Sequence, residues 1–397
     1  MNESRKLRIG IIYADFSGWT AYINYLANLT YAIKTSKLAE VIILHKAGLS
    51  VDPAITGIDE EIVLPEQFTF QKYFPGIVKK VLNKIQDYFV PDVIDRICDA
   101  NKIDVVFSHS SNRPHQKHKT PWVSWIPDFQ HIHFPELFSA DEINFRNSEF
   151  SDVVKKTDCI MVSSQSALQD LLDFAPETQN RSAAVPFVTQ IDSHIYTQNP
   201  AEVCGQYHIP PKYFYLPNQF WAHKNHQVVI DALELLHNSH PDIIVVCSGN
   251  TFEYRNLNYF PGLLTQISQK NVRENFVMLG LIPYTHVHKL MRQSCAILQP
   301  SIFEGWSTTV EEAKSLGKAL LLSDIPVHRE QNPPESVFFD PYNCKDLAAK
   351  MLKMFADTSA GPNEAMEIAA KQSLQNRTNQ YAKDFSKAVE IARKNVL

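Results

Sequence analysis

Two glutamates, Glu304 and Glu312, lie eight positions apart around the expected start of a helix. The apolar run 295–300 precedes them, so the predicted order is a strand, a loop containing Gly305, several hydroxyl residues and then the helix. The first backbone amides of a helix have no partner within it and suit a phosphate. A carboxylate beside them can accept hydrogen bonds from the two hydroxyls of a ribose. A nucleotide sugar carries both groups, and the spacing therefore predicts a site for one.

Helix capping is the alternative interpretation of Glu312. The stretches Thr309-x-x-Glu312 and Thr308-x-x-Glu311 both match a capping box, in which the glutamate satisfies only an amide of its own helix. Glu304 favours a ligand, because a capping box needs no second glutamate in the preceding loop. Both interpretations of Glu312 stay open on the sequence.

A second candidate is Lys224, which follows the predicted strand 214–216 and stands at the expected start of another helix. A cation at that position opposes the helix dipole, so an anionic ligand lying between the two would explain it. A lysine that simply projects into water is the alternative.

The region from residue 108 to residue 138 holds five of the fifteen histidines. Within it, His131 and His133 supply half of a metal site, but no third ligand has a clear position, and no metal is predicted. A histidine-lined substrate loop is the favoured interpretation. Ordinary packing of a long loop is the alternative.

The composition predicts a large enzyme of two domains. The chain has 397 residues, 44% of them hydrophobic and 20% charged, which is enough for two cores. The net charge of −5 argues against a nucleic-acid partner, which usually requires a basic surface. No apolar segment has the length of a membrane span or the form of a signal peptide, so a cytoplasmic protein is expected. The six cysteines are dispersed and are expected to be buried free thiols.

Short apolar runs rich in β-branched residues alternate with longer amphipathic stretches, and this pattern predicts parallel sheets. It occurs once before residue 189 and again from residue 213, with a proline-containing linker between. We therefore predict an α/β fold of two doubly wound, Rossmann-like domains facing across a cleft. The predicted bounds are 1–195 for the first domain and 196–375 for the second domain, which contains Lys224, Glu304 and Glu312. The terminal helix 376–397 is expected to pack back on the first domain.

The loop after the first predicted strand contains Gly18 and Trp19 but no G-x-G-x-x-G. A dinucleotide cofactor is therefore not predicted. Gly18 allows the close approach of a substrate at a helix start, or it simply turns the chain.

The tract from Pro300 to Ala319 resembles the Glu-x7-Glu region of glycosyltransferase family 4, whose members are retaining enzymes with the two-domain GT-B fold. Residues 214–226 resemble the basic loop of that family, and residues 125–138 resemble an acceptor loop of some bacterial members. The resemblance covers most of the chain in the right order. It implies a nucleoside-diphosphate sugar as donor and no metal, and the sequence has no Asp-x-Asp for a divalent ion.

By matching position, the resemblance assigns Glu304 to the hydroxyls of the transferred sugar and Glu312 to the ribose. Lys224 would neutralise the phosphate as its bond to the sugar breaks. The other donor-side positions are Gln219, Gly249, Leu281, Gly305, Trp306, Ser307 and Thr308, of which the last three would offer backbone amides to the diphosphate.

The acceptor side would include Gly18, Trp19, Asp128, His131 and His133. His131 or the leaving phosphate would take the acceptor's proton, and the sequence does not choose between them. Two positions depart from the family pattern. Gln219 stands where the family commonly has an arginine, and Trp19 follows Gly18 where a second glycine is common.

The main hypothesis is a retaining hexosyl- or deoxyhexosyl-transferase that builds a surface polysaccharide or another glycoconjugate. The alternatives are another GT-B enzyme, such as a sugar-nucleotide epimerase or a phosphorylase, and a non-catalytic two-domain sugar-binding protein. The segment Phe74–Phe89 interleaves lysines with aliphatic residues, so peripheral contact with the inner face of a membrane is one interpretation, and an amphipathic helix covering the first sheet is the other. The sequence does not predict the oligomeric state.

Overall fold

The computed structural model describes residues 5–14, 20–65, 93–110 and 118–396. Gly18, Trp19 and the segment Phe74–Phe89 lie outside these ranges. The chain divides into two compact units. The N-terminal unit comprises Met1–Phe129, Ala140–Val188 and Arg377–Leu397, and the C-terminal unit comprises Gln130–Ser139 and Thr189–Asn376.

Seven parallel strands form the described sheet of the N-terminal unit, in the order β3-β2-β1-β4-β5-β6-β7. Their bounds are β1 Leu7–Tyr13, β2 Ala39–Lys46, β3 Glu60–Leu64, β4 Val105–His109, β5 Trp122–Trp125, β6 Cys159–Val162 and β7 Ser182–Ala184. The helices described in this unit are α1 Thr20–Thr35, α2 Val93–Asn101, α4 Ala140–Lys156 and α5 Gln165–Phe174, with a 3-10 helix at Pro176–Arg181. The central strands are apolar and almost fully buried, as expected for a parallel sheet covered on both faces.

The C-terminal unit contains a six-stranded parallel sheet, in the order β10-β9-β8-β11-β12-β13. Its strands are β8 Phe214–Leu216, β9 Val245–Cys247, β10 Phe276–Met278, β11 Ala296–Gln299, β12 Leu320–Ser323 and β13 Ser336–Phe339. Its helices are α3 Gln130–His133, α6 Ser193–Thr197, α7 Ala201–Tyr207, α8 His226–Leu236, α9 Tyr259–Gln269, α10 Tyr284–Gln293, α11 Thr308–Leu316, α12 Pro326–Gln331 and α13 Cys344–Asp357, with 3-10 helices at Pro135–Leu137 and Ala222–Lys224.

The final helix, α14, runs from Glu364 to Lys394. Its part from Arg377 onward belongs to the N-terminal unit, where the ring of Phe385 lies 5.7 Å from that of Phe107 on β4. The chain changes unit between Val188 and Thr189, and the predicted boundary after residue 195 stays a prediction. None of the helices given above combines the length and the apolar character needed to cross a lipid bilayer.

The strand orders confirm the predicted fold class, since both units carry the doubly wound pattern of a Rossmann-like domain. In such a sheet the strand order reverses at one point, and ligands bind beyond the carboxyl ends of the two strands that flank it. In the C-terminal unit those strands are β8 and β11, which pair directly through Ala296 with Phe214 and Ile297 with Tyr215. The fold therefore brings together the loops that carry Lys224 and Glu304.

Candidate active site

The two loops beyond β8 and β11 meet in an ion pair. Lys224 lies at the end of the 3-10 helix Ala222–Lys224, and its Nζ is 2.7 Å from Oε1 of Glu304. The Lys224 side chain is 15% exposed and that of Glu304 is 9% exposed. A pair so little exposed feels a lower dielectric than water, so its field on a ligand at the edge of the sheet is stronger than that of a surface pair. The lysine is therefore not a solvated surface side chain.

Two amide side chains fix the orientation of Glu304. Asn218 Nδ2 donates to Gln299 Oε1 at 2.6 Å, and Gln299 Nε2 donates to Glu304 Oε1 at 2.9 Å and to Ser307 Oγ at 3.0 Å. Gln299 ends β11 and is fully buried. Oε1 of Glu304 thus accepts hydrogen bonds from both Gln299 and Lys224, which leaves Oε2 for a ligand. Sequence reasoning missed Asn218 and Gln299.

Helix α11 does not use either predicted capping box. It begins after Ser307, whose side chain makes no capping hydrogen bond. The side chain of Gln331 contacts the Ser307 backbone instead. Gln331 Oε1 lies 3.3 Å from the Ser307 amide nitrogen, and Gln331 Nε2 lies 2.9 Å from the Ser307 carbonyl oxygen. Glu311 accepts hydrogen bonds from Lys314 at 2.9 Å and from Gln331 at 3.2 Å. The capping interpretation of Glu312 is wrong, because its carboxylate contacts a different helix.

That other helix is α10. Glu312 is 4% exposed and accepts a hydrogen bond from the phenol of Tyr284, while Nε2 of His288 lies 3.8 Å from Glu312 Oε1. Burial of the hydroxyl, with Glu312 as a further cause, raises the pKa of Tyr284 well above its ordinary value. The phenol consequently stays protonated and remains a donor to the carboxylate.

The remaining donor-side residues lie in the loops at the same edge of the sheet. Gly305 and Trp306 belong to the turn between β11 and α11, and Thr308 is the first residue of that helix. Leu281 follows β10 and is 80% exposed. Gly249 follows β9 and has a φ of +153°, and a Cβ built on it would lie 2.3 Å from the carbonyl oxygen of Asn218. Gly249 therefore permits the close approach of two loops.

Gln219, in the loop after β8, stands where the family that the chain resembles commonly has an arginine. Arg255 lies close to the same loop. Its guanidinium is 5.4 Å from the Trp221 ring centre and 5.0 Å from that of Phe138. It also pairs with the buried Glu253, at 2.8 Å between Nε and Oε1. Because both oxygens of Glu253 accept hydrogen bonds from its guanidinium, Arg255 is held in place and anchors the surrounding loops.

The predicted acceptor-loop residues fall into both units. Asp128 belongs to the N-terminal unit and pairs with Arg146 at 2.8 Å. His131 and His133 belong to the C-terminal unit, in which His131 is 1% exposed and the His133 ring lies 5.3 Å from that of Phe303, the neighbour of Glu304. The structure thus brings His133 near the donor-side loop. Across the ranges that the structure covers, no three His, Cys, Asp or Glu side chains are grouped to hold a metal ion.

Three buried histidines surround Lys224 and carry no charge at neutral pH. Burial, with the charge of Lys224 as a further cause, lowers the pKa of His223 well below its ordinary value and that of His226 to about 3. Burial also lowers the pKa of His328, although nearby Glu304 opposes the shift. Titration of these rings does not change the charge of the site around neutral pH.

Asn225 provides a test of how the Lys224 loop is held. Its φ is +54°, and its Nδ2 donates to the carbonyl oxygens of Pro300 at 3.2 Å and Pro341 at 2.8 Å. We expect Asn225→Gly, which keeps the conformation but loses both hydrogen bonds, to lower the free energy of unfolding by about 1–2 kcal/mol. Asn225→Ala adds left-handed strain and should cost about 1 kcal/mol more. Urea unfolding of both variants measures these values. Equal losses would show that the backbone conformation there is not strained.

The chain matches known glycosyltransferases. The family model "Glycosyl transferases group 1" matches residues 208–374, which include β8 to β13. The predicted resemblance is confirmed over residues 208–374, which are similar to this family. No curated protein sequence matches the chain.

Several solved structures have a similar fold. A glycosyltransferase from Rickettsia africae is 16% identical with a TM-score of 0.67, and the match covers 98% of this chain and 99% of that one. HepE from Anabaena, in complex with UDP-glucose, is 14% identical with a TM-score of 0.63, and the match covers 96% and 100%. Sucrose-phosphate synthase from Thermosynechococcus elongatus is 14% identical with a TM-score of 0.62, and the match covers 97% of both chains. At these identities the likeness establishes the GT-B fold.

Proposed function

We propose that the protein is a retaining glycosyltransferase that moves a hexosyl or deoxyhexosyl group from a nucleoside-diphosphate sugar to a glycan or glycoconjugate acceptor without a metal. The observation that carries the proposal is the Lys224–Glu304 pair at the point where the strand order of the C-terminal unit reverses. This pair places a cation and a carboxylate with one oxygen available beside the start of helix α11. A phosphate and a sugar hydroxyl match these groups in charge and in hydrogen bonding.

In the proposed reaction, negative charge develops on the phosphate oxygens while the sugar becomes oxocarbenium-like. Lys224 stabilises that charge, together with backbone amides at the start of α11 other than that of Ser307, which already donates to Gln331. Donors held in place before the reaction need no reorganisation. Oε2 of Glu304 accepts hydrogen bonds from the sugar hydroxyls, because Gln299 and Lys224 occupy Oε1. Glu312 binds the ribose.

The solved relatives support a uridine nucleotide as the first donor to test. HepE has been solved in complex with UDP-glucose and also with UDP and glucose. On the acceptor side, we propose that His131 or the leaving phosphate takes the acceptor's proton, with Asp128 and His133 contributing to acceptor binding. We propose a surface polysaccharide as the product and a cytoplasmic protein that attaches peripherally to the inner face of the membrane.

Thermal unfolding with UDP-, GDP-, dTDP-, ADP- and CDP-sugars in the presence of EDTA tests the donor site. We expect one nucleotide to stabilise the protein by about 2.7 kcal/mol at 100 times its dissociation constant. Glu312→Gln should weaken this effect, whereas Lys353→Met, on the exposed face of α13, should leave it unchanged. If no nucleotide shifts the unfolding transition, the donor-site assignment fails.

When water takes the place of the acceptor, the anomer of the sugar first released from the selected donor shows whether the reaction retains the configuration. With an α-linked donor, proton NMR during the first turnovers should show the α-anomer before mutarotation. Initial release of the β-anomer would contradict a retaining reaction. Turnover without an acceptor to an isomeric nucleotide sugar would indicate an epimerase.

A further inference from the structure

The carboxylate proposed to bind the ribose is held by residues from a different helix. Glu312 lies on α11, but its hydrogen-bond partner Tyr284 is the first residue of α10. His288 lies one turn further along α10, and its ring centre is 4.4 Å from that of Tyr284. The Tyr284 phenol donates its hydrogen bond to Oε1 of Glu312, and His288 Nε2 lies 3.8 Å from the same atom.

This arrangement makes the two oxygens of Glu312 unequal. A glutamate side chain has several rotamers, and its terminal torsion is broad, so an unrestrained carboxylate can present either oxygen. The phenol fixes the carboxylate through a charge-assisted hydrogen bond on Oε1. Oε2 is then the atom available for the ribose 2′-hydroxyl.

The position of Tyr284 also fits a role at a ligand site. The residue as a whole is 40% exposed, although its hydroxyl contacts a buried carboxylate. It follows directly on the loop that contains the 80% exposed Leu281, at the carboxyl end of β10. A tyrosine that served only the core would have a buried ring, as Tyr213 and Tyr215 have in this unit.

We propose that Tyr284 is a positioning residue that sets the preference of the site for ribonucleotides over 2′-deoxyribonucleotides. It does so by clamping Oε1 of Glu312, so that Oε2 faces the ribose 2′-hydroxyl. The inference rests on the proposed function, because it requires a nucleotide at Glu312. It adds a residue that determines selectivity for the ribose of the nucleotide. Tyr284 acts through Glu312 and does not contact the reacting atoms.

The test compares UDP and 2′-deoxy-UDP binding to the full chain by isothermal titration calorimetry. The wild-type protein should prefer UDP by about tenfold or more, since a site built around a hydroxyl rejects the analogue that lacks it. Tyr284→Phe keeps the ring and removes the clamp. It should weaken UDP binding by about tenfold and leave 2′-deoxy-UDP binding nearly unchanged, so that the preference disappears.

Tyr207→Phe is the matched control. The Tyr207 hydroxyl bonds Nδ1 of His286 at 2.8 Å, and His286 lies on the same helix as Tyr284. This variant loses one phenol contact to α10 and should keep the preference for UDP. A double-mutant cycle adds a second measurement, because Tyr284→Phe should cost nothing further once Glu312→Gln has removed the charge that it orients.

The outcomes separate the two ideas. If the wild-type protein binds neither nucleotide, nor any other in the thermal panel, the proposed function fails. If it prefers UDP and Tyr284→Phe keeps the same ratio, the donor site stands and the clamp is overturned. Equal weakening of both ligands would also overturn it, because that result indicates a general structural role. Additive effects of Tyr284→Phe and Glu312→Gln would contradict a clamp that acts through the carboxylate.

Discussion

Lys224→Met is expected to lower the turnover of the nucleotide sugar by about 10²–10³-fold, the range found when a preorganised donor to a developing oxyanion is removed. The lysine supplies a full charge beside the proposed phosphate position. Arg255 cannot take over that task, because its guanidinium is bound by both oxygens of Glu253 and lies against the rings of Phe138 and Trp221. Release of nucleoside diphosphate with water as acceptor measures the rate. The donor is the one that stabilises the protein most.

The same substitution also removes the partner of Glu304, whose side chain is 9% exposed. An unpaired buried carboxylate is destabilising, by about 3 kcal/mol or more where burial is complete. We therefore expect Lys224→Met to unfold at lower temperature, and the double variant with Glu304→Gln to recover most of that stability without recovering turnover. Lys353→Met loses an exposed lysine and should keep both properties. Recovery of turnover in the double variant would show that the loss came from instability and not from the missing charge.

Two of the residues predicted from the sequence stand at positions that are unfavourable without a ligand. Lys224 opposes a helix dipole, and Glu304 stands in a loop where no cap requires it, so each indicates a site from local sequence alone. Tyr284, Gln299 and Asn218 carry no such signal, because they are neutral side chains that meet their partners only in the folded sheet. Gln299 and Asn218, for example, are 81 positions apart.

Local sequence also decides which helices and strands are predicted and which are missed. The sequence predicts the buried strand β8 with its observed bounds, and β11 lies within the predicted apolar run 295–300, because every residue in these strands is apolar or follows an apolar run. Strand β3 was missed, since it lies at the sheet edge and begins with two exposed glutamates. Helix α9 was missed because Pro261 and Gly262 stand near its start and usually indicate a turn. Proline is compatible with the first turn of a helix, where its missing amide has no partner to lose.

Gly249→Ala is expected to lower the free energy of unfolding of the C-terminal unit by about 4 kcal/mol. Two terms add: strain at a φ that L-residues rarely adopt costs about 1–3 kcal/mol, and overpacking costs about 1–3 kcal/mol. The new Cβ would lie 2.3 Å from the Asn218 carbonyl oxygen and 2.9 Å from the Gln219 Cα, so relief requires the loop after β8 to move. Urea unfolding followed by far-ultraviolet circular dichroism measures the loss.

The matched control is Gly262→Ala, because a Cβ at Gly262 meets nothing within 4 Å and the residue lies inside helix α9. Alanine there should stabilise the protein by up to about 1 kcal/mol through helix propensity. Gly249→Ala should also impair the site, since the movement of Asn218 disturbs its hydrogen bond to Gln299 and therefore the orientation of Glu304. A Gly249→Ala protein with normal stability and normal nucleotide affinity would show that the two loops tolerate separation. In that case Lys224 orients Glu304, and the side-chain amides of Asn218 and Gln299 do not.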